Sequence, residues 1–183
     1  MKDPLRRPAL IAIALGVPVV VVLVVLTHVV GSRGTTPATV AGPTTSARAD
    51  LPVLTVATPK VTPQANASCP GLMKLLPLEL MGEQSRRVRS ASPFAYAWGN
   101  PAVVLVCGVP APAGYVRGAS AIQINGVQWY VDTDDPSATV WTTVDRPVNV
   151  EVRVPPTSDS APVTALTTEV AKALPYREPT PGK

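Results

Sequence analysis

The sequence predicts an α+β domain with a mainly antiparallel sheet, placed behind a single N-terminal transmembrane helix. Three observations lead to this fold class. Residues 9–30 form one apolar run without Lys, Arg, Asp or Glu. Several short strand-like segments follow in the second half of the chain, two of them joined by Asn-Gly. Residues 161–174 place apolar side chains at helical spacing, which is typical of a helix that packs on a sheet.

The run at residues 9–30 has the length of a membrane-spanning helix. At about 1.5 Å of rise per residue it reaches about 33 Å, and the hydrocarbon core of a bilayer is about 30 Å thick. Lys2, Arg6 and Arg7 precede it. Because positive charge stays inside, residues 1–8 are predicted to be a cytoplasmic tail of a single-pass protein of the cell membrane, with the C-terminal domain extracytoplasmic.

A cleaved signal peptide is the alternative to an anchor. Such a peptide has an apolar stretch of about 7–15 residues that ends at a small-x-small cleavage site. The run here is longer, and residues 27–32 contain no such site. We therefore favour an uncleaved anchor, with a secreted form as the alternative.

Composition divides the remaining chain into three parts. Residues 31–50 are mostly Thr, Pro, Ala, Ser and Gly, which predicts a disordered linker. Residues 51–176 are numerous enough for one extracytoplasmic domain with its own core. Residues 53–57 are a candidate first strand, and the alternative is that the chain stays extended up to Ser68 as part of the tether. Residues 177–183 are a short tail.

Charge makes nucleic acid an unlikely class of partner for this domain. From residue 32 onward there are 13 Lys and Arg against 11 Asp and Glu, so the net charge is 13 − 11 = +2. Binding to a phosphate backbone depends on a concentrated basic surface. The sequence has no such concentration, and we expect no nucleic-acid partner.

Apolar spacing predicts a helix near each end of the domain. The first covers residues 70–76, with Pro70 in its first turn and Pro77 after its end. The second covers residues 161–174, with Ser160 as its N-cap. The second would pack against the sheet.

Turn chemistry predicts the hairpins of the sheet. Asn125 and Gly126 lie between two strand-like runs, which is typical of a two-residue type I′ turn. Residues 139–144 and 148–154 are predicted to pair around Asp145, Arg146 and Pro147. These pairings make the sheet mainly antiparallel.

The two cysteines, Cys69 and Cys107, are predicted to form a disulfide. An even number of cysteines outside the membrane favours a bond because that compartment is oxidising. A redox or metal-binding pair is the alternative. The chain has no CxxC motif and no histidine near either cysteine, so the disulfide is favoured.

Several catalytic mechanisms are excluded by the count of histidines. His28 is the single histidine, and it lies in the apolar run. The domain therefore has no Ser-His-Asp or Cys-His arrangement and no histidine-based zinc site. The sequence also lacks a glycine-rich phosphate loop. We predict no catalytic residue, no cofactor and no metal.

Carboxylates are the one remaining source of catalysis. Asp132, Asp134 and Asp135 follow a strand-like segment. Paired carboxylates can hydrolyse a glycoside or bind a cation. A solvated turn at Asp134, Asp135 and Pro136 is the simpler interpretation, and it is favoured.

Arginine and tryptophan side chains are the candidate binding surface: Arg86, Arg87, Trp98, Trp129 and Arg146. Arginine pairs with phosphate and carboxylate groups, and tryptophan can stack on sugars. The simpler interpretations are a solvated strand edge for the arginines and core packing for the tryptophans.

The sequence resembles an actinobacterial family of small membrane-anchored extracytoplasmic proteins of unknown function, common in mycobacteria and their relatives. The resemblance covers roughly residues 69–175 and depends on Trp98-Gly99-Asn100-Pro101-Ala102-Val103 running into Cys107-Gly108, on Asn125-Gly126-Val127-Gln128-Trp129 and on Asp145-Arg146-Pro147. It implies the same topology and assigns no activity.

Two hypotheses for function follow. The first is a non-catalytic module, tethered to the membrane, that binds an envelope protein or a cell-wall polymer. The alternative is a carboxylate-dependent hydrolase or metal-binding enzyme built around residues 132–135. The lack of a catalytic constellation favours the first.

Overall fold

The computed structural model describes residues 48–183, so the predicted anchor at 9–30 lies outside the described residues. The described chain is α+β, as predicted, with a mainly antiparallel sheet and two helices. In this part of the chain no helix is both long enough and apolar enough to cross a membrane. The elements are β1 (Leu54–Thr55), α1 (Pro63–Leu75), β2 (Glu79–Leu80), β3 (Glu83–Gln84), β4 (Val88–Arg89), β5 (Ala95–Trp98), β6 (Val103–Val109), β7 (Ile122–Ile124), β8 (Val127–Asp132), β9 (Thr139–Thr143), β10 (Asn149–Val154) and α2 (Ala161–Ala173).

One six-stranded sheet forms the centre of the domain. Its order is β5-β6-β10-β9-β8-β7, and each neighbouring pair is antiparallel. Asn125 and Gly126 join β7 to β8 with φ angles of 46° and 79°. Two positive φ angles are the backbone of a type I′ turn, so that prediction is confirmed.

Alternation along the strands gives the sheet two different faces. In β10 the side chains of Val150, Val152 and Val154 are buried in the core with α1 and α2. Glu151 and Arg153 lie between them and point to the opposite face because successive residues of a strand alternate. The helices therefore cover one face, and the charged side chains of β10 lie on the other.

A disulfide joins α1 to β6. The sulfur atoms of Cys69 and Cys107 are 2.11 Å apart, and both residues are buried in the core. Gly108 follows with φ at +90°, and a Cβ atom there would lie 2.6 Å from the Cβ of Ala65. Only glycine allows the helix to approach the strand this closely.

The first helix begins earlier than predicted. We expected residues 70–76, whereas α1 is Pro63–Leu75 and has Pro70 in its interior. The Oγ1 atom of Thr62 accepts a hydrogen bond from the N–H of Ala65 at 3.0 Å, which makes Thr62 the N-cap. Pro63 and Pro70 both suit a first turn, and the prediction chose the wrong one.

The second helix ends one residue before the predicted boundary, and its cap differs. α2 is Ala161–Ala173, and the side chain of Ser160 makes no capping hydrogen bond. The Oδ1 atom of Asp159 accepts from the N–H of Ala161 at 2.9 Å instead. A neighbouring carboxylate thus satisfies the donor that Ser160 was expected to satisfy.

Two short strand pairs flank the main sheet. β1 pairs with β4 in parallel, and β2 pairs with β3 as a hairpin. The strand expected at 53–57 is present only as β1, Leu54–Thr55. The N–H of Arg48 donates to the carbonyl of Ser85 at 2.7 Å, so the last residues assigned to the linker contact the domain.

Candidate functional site

A cavity of about 440 Å³ lies where the start of α1, the end of β6, the β9–β10 turn and the C-terminal segment meet. We call it the cationic cavity, because Lys60, Arg146 and Arg177 line it against one acidic residue, Glu178. The remaining lining is mostly proline and other apolar residues. The cavity therefore offers positive charge within partly apolar walls.

Backbone and side-chain hydrogen bonds hold the walls of the cationic cavity in place. The Nε2 atom of Gln64, in the first turn of α1, donates to the carbonyl of Pro147 at 2.6 Å. The N–H of Arg177 donates to the carbonyl of Asp145 at 2.9 Å. These two bonds attach the helix and the C-terminal segment to the same turn.

The helix end adds to the positive potential. Thr62, the N-cap of α1, and Gln64, in its first turn, both line the cationic cavity. The N-terminus of a helix carries a partial positive charge of roughly half a unit. This charge and the side chains of Lys60 and Arg177 act in the same direction.

The charge of Arg146 is compensated beneath the cavity. Its Nη1 atom lies 3.2 Å from the Oδ2 atom of Asp145, whose side chain is 1% exposed. Nη1 and Nη2 also donate to the carbonyls of Asp145 and Gly126, each at 2.9 Å. The Nε atom of Arg146 has no hydrogen-bond partner among the residues that the structure describes. Arg146 thus organises the turn, and Lys60 and Arg177 supply the uncompensated charge.

Burial governs the protonation of the acid under the cavity. It raises the pKa of Asp145, while the backbone N–H of Gln128 and the charge of Arg146 oppose this rise. Burial therefore disfavours the ionised carboxylate of Asp145, and the charge of Arg146 stabilises it.

A second recess, of about 700 Å³, lies on the sheet face opposite the helices. We call it the acidic cleft, because Asp132, Asp134, Asp135 and Glu151 line it against one cation, Arg153. Residues 110–112 line both this cleft and the cationic cavity. The two recesses of opposite charge thus share one wall.

Two carboxylates of the acidic cleft have opposite pKa shifts. The hydroxyl and N–H of Ser137 hold the pKa of Asp135 below its usual value, with help from Arg153. Burial raises the pKa of Glu151, which Arg153 opposes from 3.7 Å. Such divergence is common where one acid donates a proton and another accepts one.

Four of the five residues of the predicted binding surface are buried, so the structure does not place them on one exposed surface. Trp98 and Trp129 are 1% and 0% exposed, and their indole N–H groups donate to the carbonyl of Pro77 and to the hydroxyl of Thr167. They are core residues, as the simpler interpretation has it.

The three arginines of that surface lie in different environments. Arg86 is buried and donates to the carbonyls of Gly99 and Pro52, each at 3.1 Å. Arg87 is exposed and donates to the carbonyl of Ala49. Arg146 alone lines the cationic cavity. Both buried arginines, Arg86 and Arg146, donate to backbone carbonyls, as buried polar groups usually do.

Sequence reasoning missed five charged residues of the recesses: Lys60, Arg177 and Glu178 in the cationic cavity, and Glu151 and Arg153 in the acidic cleft. Lys60 and Arg177 are far apart in the sequence and line one cavity because the N–H of Arg177 donates to the carbonyl of Asp145. No local pattern marks them. Glu151 could have been found, because it alternates with the buried valines of β10 and shares a face with Arg153.

The described residues contain no candidate cluster of metal ligands. Among them, no three or more His, Cys, Asp and Glu side chains are grouped in a way that could hold an ion.

Comparison with known families adds one finding. Residues 13–179 match a family described as "Protein of unknown function (DUF3515)". The chain belongs to the DUF3515 family. The match includes every residue that lines the acidic cleft and all but Thr180 of those that line the cationic cavity. It shows a family of unknown function, as the resemblance implied, and the description of DUF3515 names no activity, source organism or membrane anchor.

The other two comparisons found no match. No curated protein and no solved structure matches this chain.

Proposed function

We propose that this DUF3515 protein is a non-catalytic binding module of an actinobacterial cell envelope, held on the outer side of the cell membrane by residues 9–30. Its ligand is an anionic group of an envelope protein or a cell-wall polymer. The observation that carries this proposal is the cationic cavity, where Lys60 and Arg177 are accompanied by the N-terminus of α1.

Charge and shape make this cavity suited to a carboxylate or phosphate. Two cations face one carboxylate, Glu178, so a net positive charge remains after Arg146 and Asp145 neutralise each other. Charge-assisted hydrogen bonds are about twice as strong as neutral ones. Lys60 and Arg177 are both exposed, so an incoming anion can reach them from solvent.

The test replaces both uncompensated cations at once. Full-length protein in mild detergent should be retained on purified cell wall or recover a crosslinked envelope partner. Lys60→Gln with Arg177→Gln should weaken that binding by at least about tenfold, since a hydrogen bond to a charged group contributes about 1.5–3 kcal/mol. Retention across a salt series measures the effect.

The matched control is Arg117→Gln with Lys172→Gln, which removes two exposed positive charges outside the cationic cavity. It should leave binding nearly unchanged. Equal losses in both double variants would mean that net charge alone drives retention. Absence of any retained or crosslinked component for the unaltered protein would refute the binding function itself.

A second candidate function is favoured by the acidic cleft. We infer that Glu151 could donate a proton to a leaving group while ionised Asp135 acts as base or nucleophile, as in glycoside hydrolysis. The opposite pKa shifts of these two residues and the cleft between them support it.

Aryl glycosides test the hydrolytic candidate. We expect Glu151→Gln and Asp135→Asn each to lower the rate by about 10²–10⁴-fold, and Glu169→Gln on α2 to leave it unchanged. The rate should fall at low pH, where Asp135 is protonated, and at high pH, where Glu151 loses its proton. A rate no higher than that of buffer alone rejects this candidate.

A further inference from the structure

Three large apolar side chains are exposed within residues 75–81. Leu75 ends α1, Leu78 precedes β2 and Met81 lies in the β2–β3 turn, with exposures of 42%, 47% and 62%. We call these three residues the apolar tip. A single exposed apolar residue is ordinary, whereas several close together are typical of a contact surface.

The backbone at Met81 is unusual for methionine. Met81 and Gly82 have φ angles of 53° and 84°, so both central residues of the turn are left-handed. Such turns favour asparagine or glycine at the first position. Methionine adopts the conformation at an energetic cost, and its exposed side chain gains little from packing within the domain. Strain without a structural gain points to a function for the side chain.

The chain joins the domain beside the apolar tip. The N–H of Arg48 donates to the carbonyl of Ser85, and the N–H of Ser85 donates to the carbonyl of Leu78, each at 2.7 Å. Between Val30 and Arg48 there are 48 − 30 − 1 = 17 residues. Even fully extended, such a segment reaches only about 60 Å. Arg48, the first residue that the structure describes, is thus linked through Ser85 to Leu78 of the apolar tip.

We propose that the apolar tip docks on the lipid bilayer and inserts Leu75, Leu78 and Met81 at the boundary of headgroups and acyl chains. The proposal rests on the membrane anchor of the proposed function. Glu79 and Glu83 lie on the same hairpin and are exposed, so anionic lipids do not drive the contact. The contact is apolar, and salt should affect it little.

Fluorescence quenching tests the contact in the full-length protein. Met81→Cys is labelled with bimane after reconstitution into phosphatidylcholine vesicles with brominated or unbrominated acyl chains. The native cysteines are joined in a disulfide and leave the label selective. Tyr176→Cys is the matched control, since Tyr176 is 61% exposed and lies away from the tip in the sequence. Bromine should lower emission at least twofold at position 81 and leave position 176 unchanged.

A second pair of substitutions distinguishes docking from mere proximity. Leu75→Ser with Leu78→Ser, added to Met81→Cys, should abolish most of the quenching. Equal quenching at positions 81 and 176 overturns the docking. Crosslinking of two Met81→Cys chains also overturns it, because the apolar tip would then contact a second copy of the protein. Flotation with the vesicles tests the membrane anchor separately. A chain that does not float overturns both the anchor and the docking. A chain that floats but shows no quenching at position 81 overturns the docking alone.

Discussion

Replacing Cys69 and Cys107 together with alanine should lower the free energy of unfolding by about 4 kcal/mol. The cysteines are separated by 38 residues, and cross-linking a loop of that length removes conformational entropy from the unfolded chain. A domain of ordinary stability has about 5–15 kcal/mol in total. Loss of the bond should therefore leave the domain marginally folded.

Urea denaturation of the full-length protein in detergent measures this effect. The unaltered protein with and without reductant is the best control, because the sequence then stays the same and only the bond changes. Reduction should shift the unfolding midpoint to lower urea by nearly as much as the double substitution. Equal midpoints for the oxidised and reduced protein would contradict the predicted contribution.

Local turn chemistry explains why parts of the fold could be predicted. Asn125 and Gly126 require only their own backbone preferences to form a hairpin, and the structure has the turn that those preferences favour. The end of α2 is similarly fixed, because Pro175 prevents the helix from continuing. Signals of this kind depend on neighbours in the sequence.

The start of α1 needed information that the sequence does not give locally. Pro63 and Pro70 are equally good first-turn residues. Packing decides between them, because Ala65 and Cys69 are buried against the sheet and Gly108 makes room for the helix. The decisive contact joins residues more than forty positions apart.

The candidate site was the least predictable part, for the same reason. The sequence suggests Trp98 and Trp129 for ligand binding, but both lie in the core. The positive charge of the cationic cavity comes instead from Lys60 and Arg177. A charged or aromatic residue type says what a side chain can bind. Tertiary structure decides whether it meets a ligand, a backbone carbonyl or another side chain.

Removing the guanidinium of Arg146 is expected to lower the free energy of unfolding by about 3–5 kcal/mol. Arg146→Met leaves the carboxylate of Asp145 buried without its partner, and it orphans the carbonyl of Gly126. Breaking a buried ion pair by removing one charge is costly because the other charge stays unsolvated. The sequence suggests Arg146 for ligand binding. A loss of stability of this size would show that its main role is structural.

Two further variants separate charge from packing. Arg153→Met should cost at most about 1 kcal/mol, since the ion pairs of Arg153 are partly exposed to solvent. Asp145→Leu together with Arg146→Met should recover a large part of the loss, because no unpaired charge then remains. Chemical denaturation of the unaltered protein, Arg146→Met, Asp145→Leu and their double variant gives the coupling free energy of the pair directly.

The cost of Arg146→Met should depend on pH in a defined direction. Burial raises the pKa of Asp145 in the folded state, so the carboxyl becomes neutral in the native protein at a higher pH than in the unfolded chain. At neutral pH the variant holds an unpaired carboxylate. As the pH falls through the raised pKa, the carboxyl is neutral with or without Arg146, and the difference in stability between the two proteins should shrink. A difference that stays constant from neutral to acidic pH would mean that lost hydrogen bonds and packing, rather than the charge of Asp145, determine the role of Arg146.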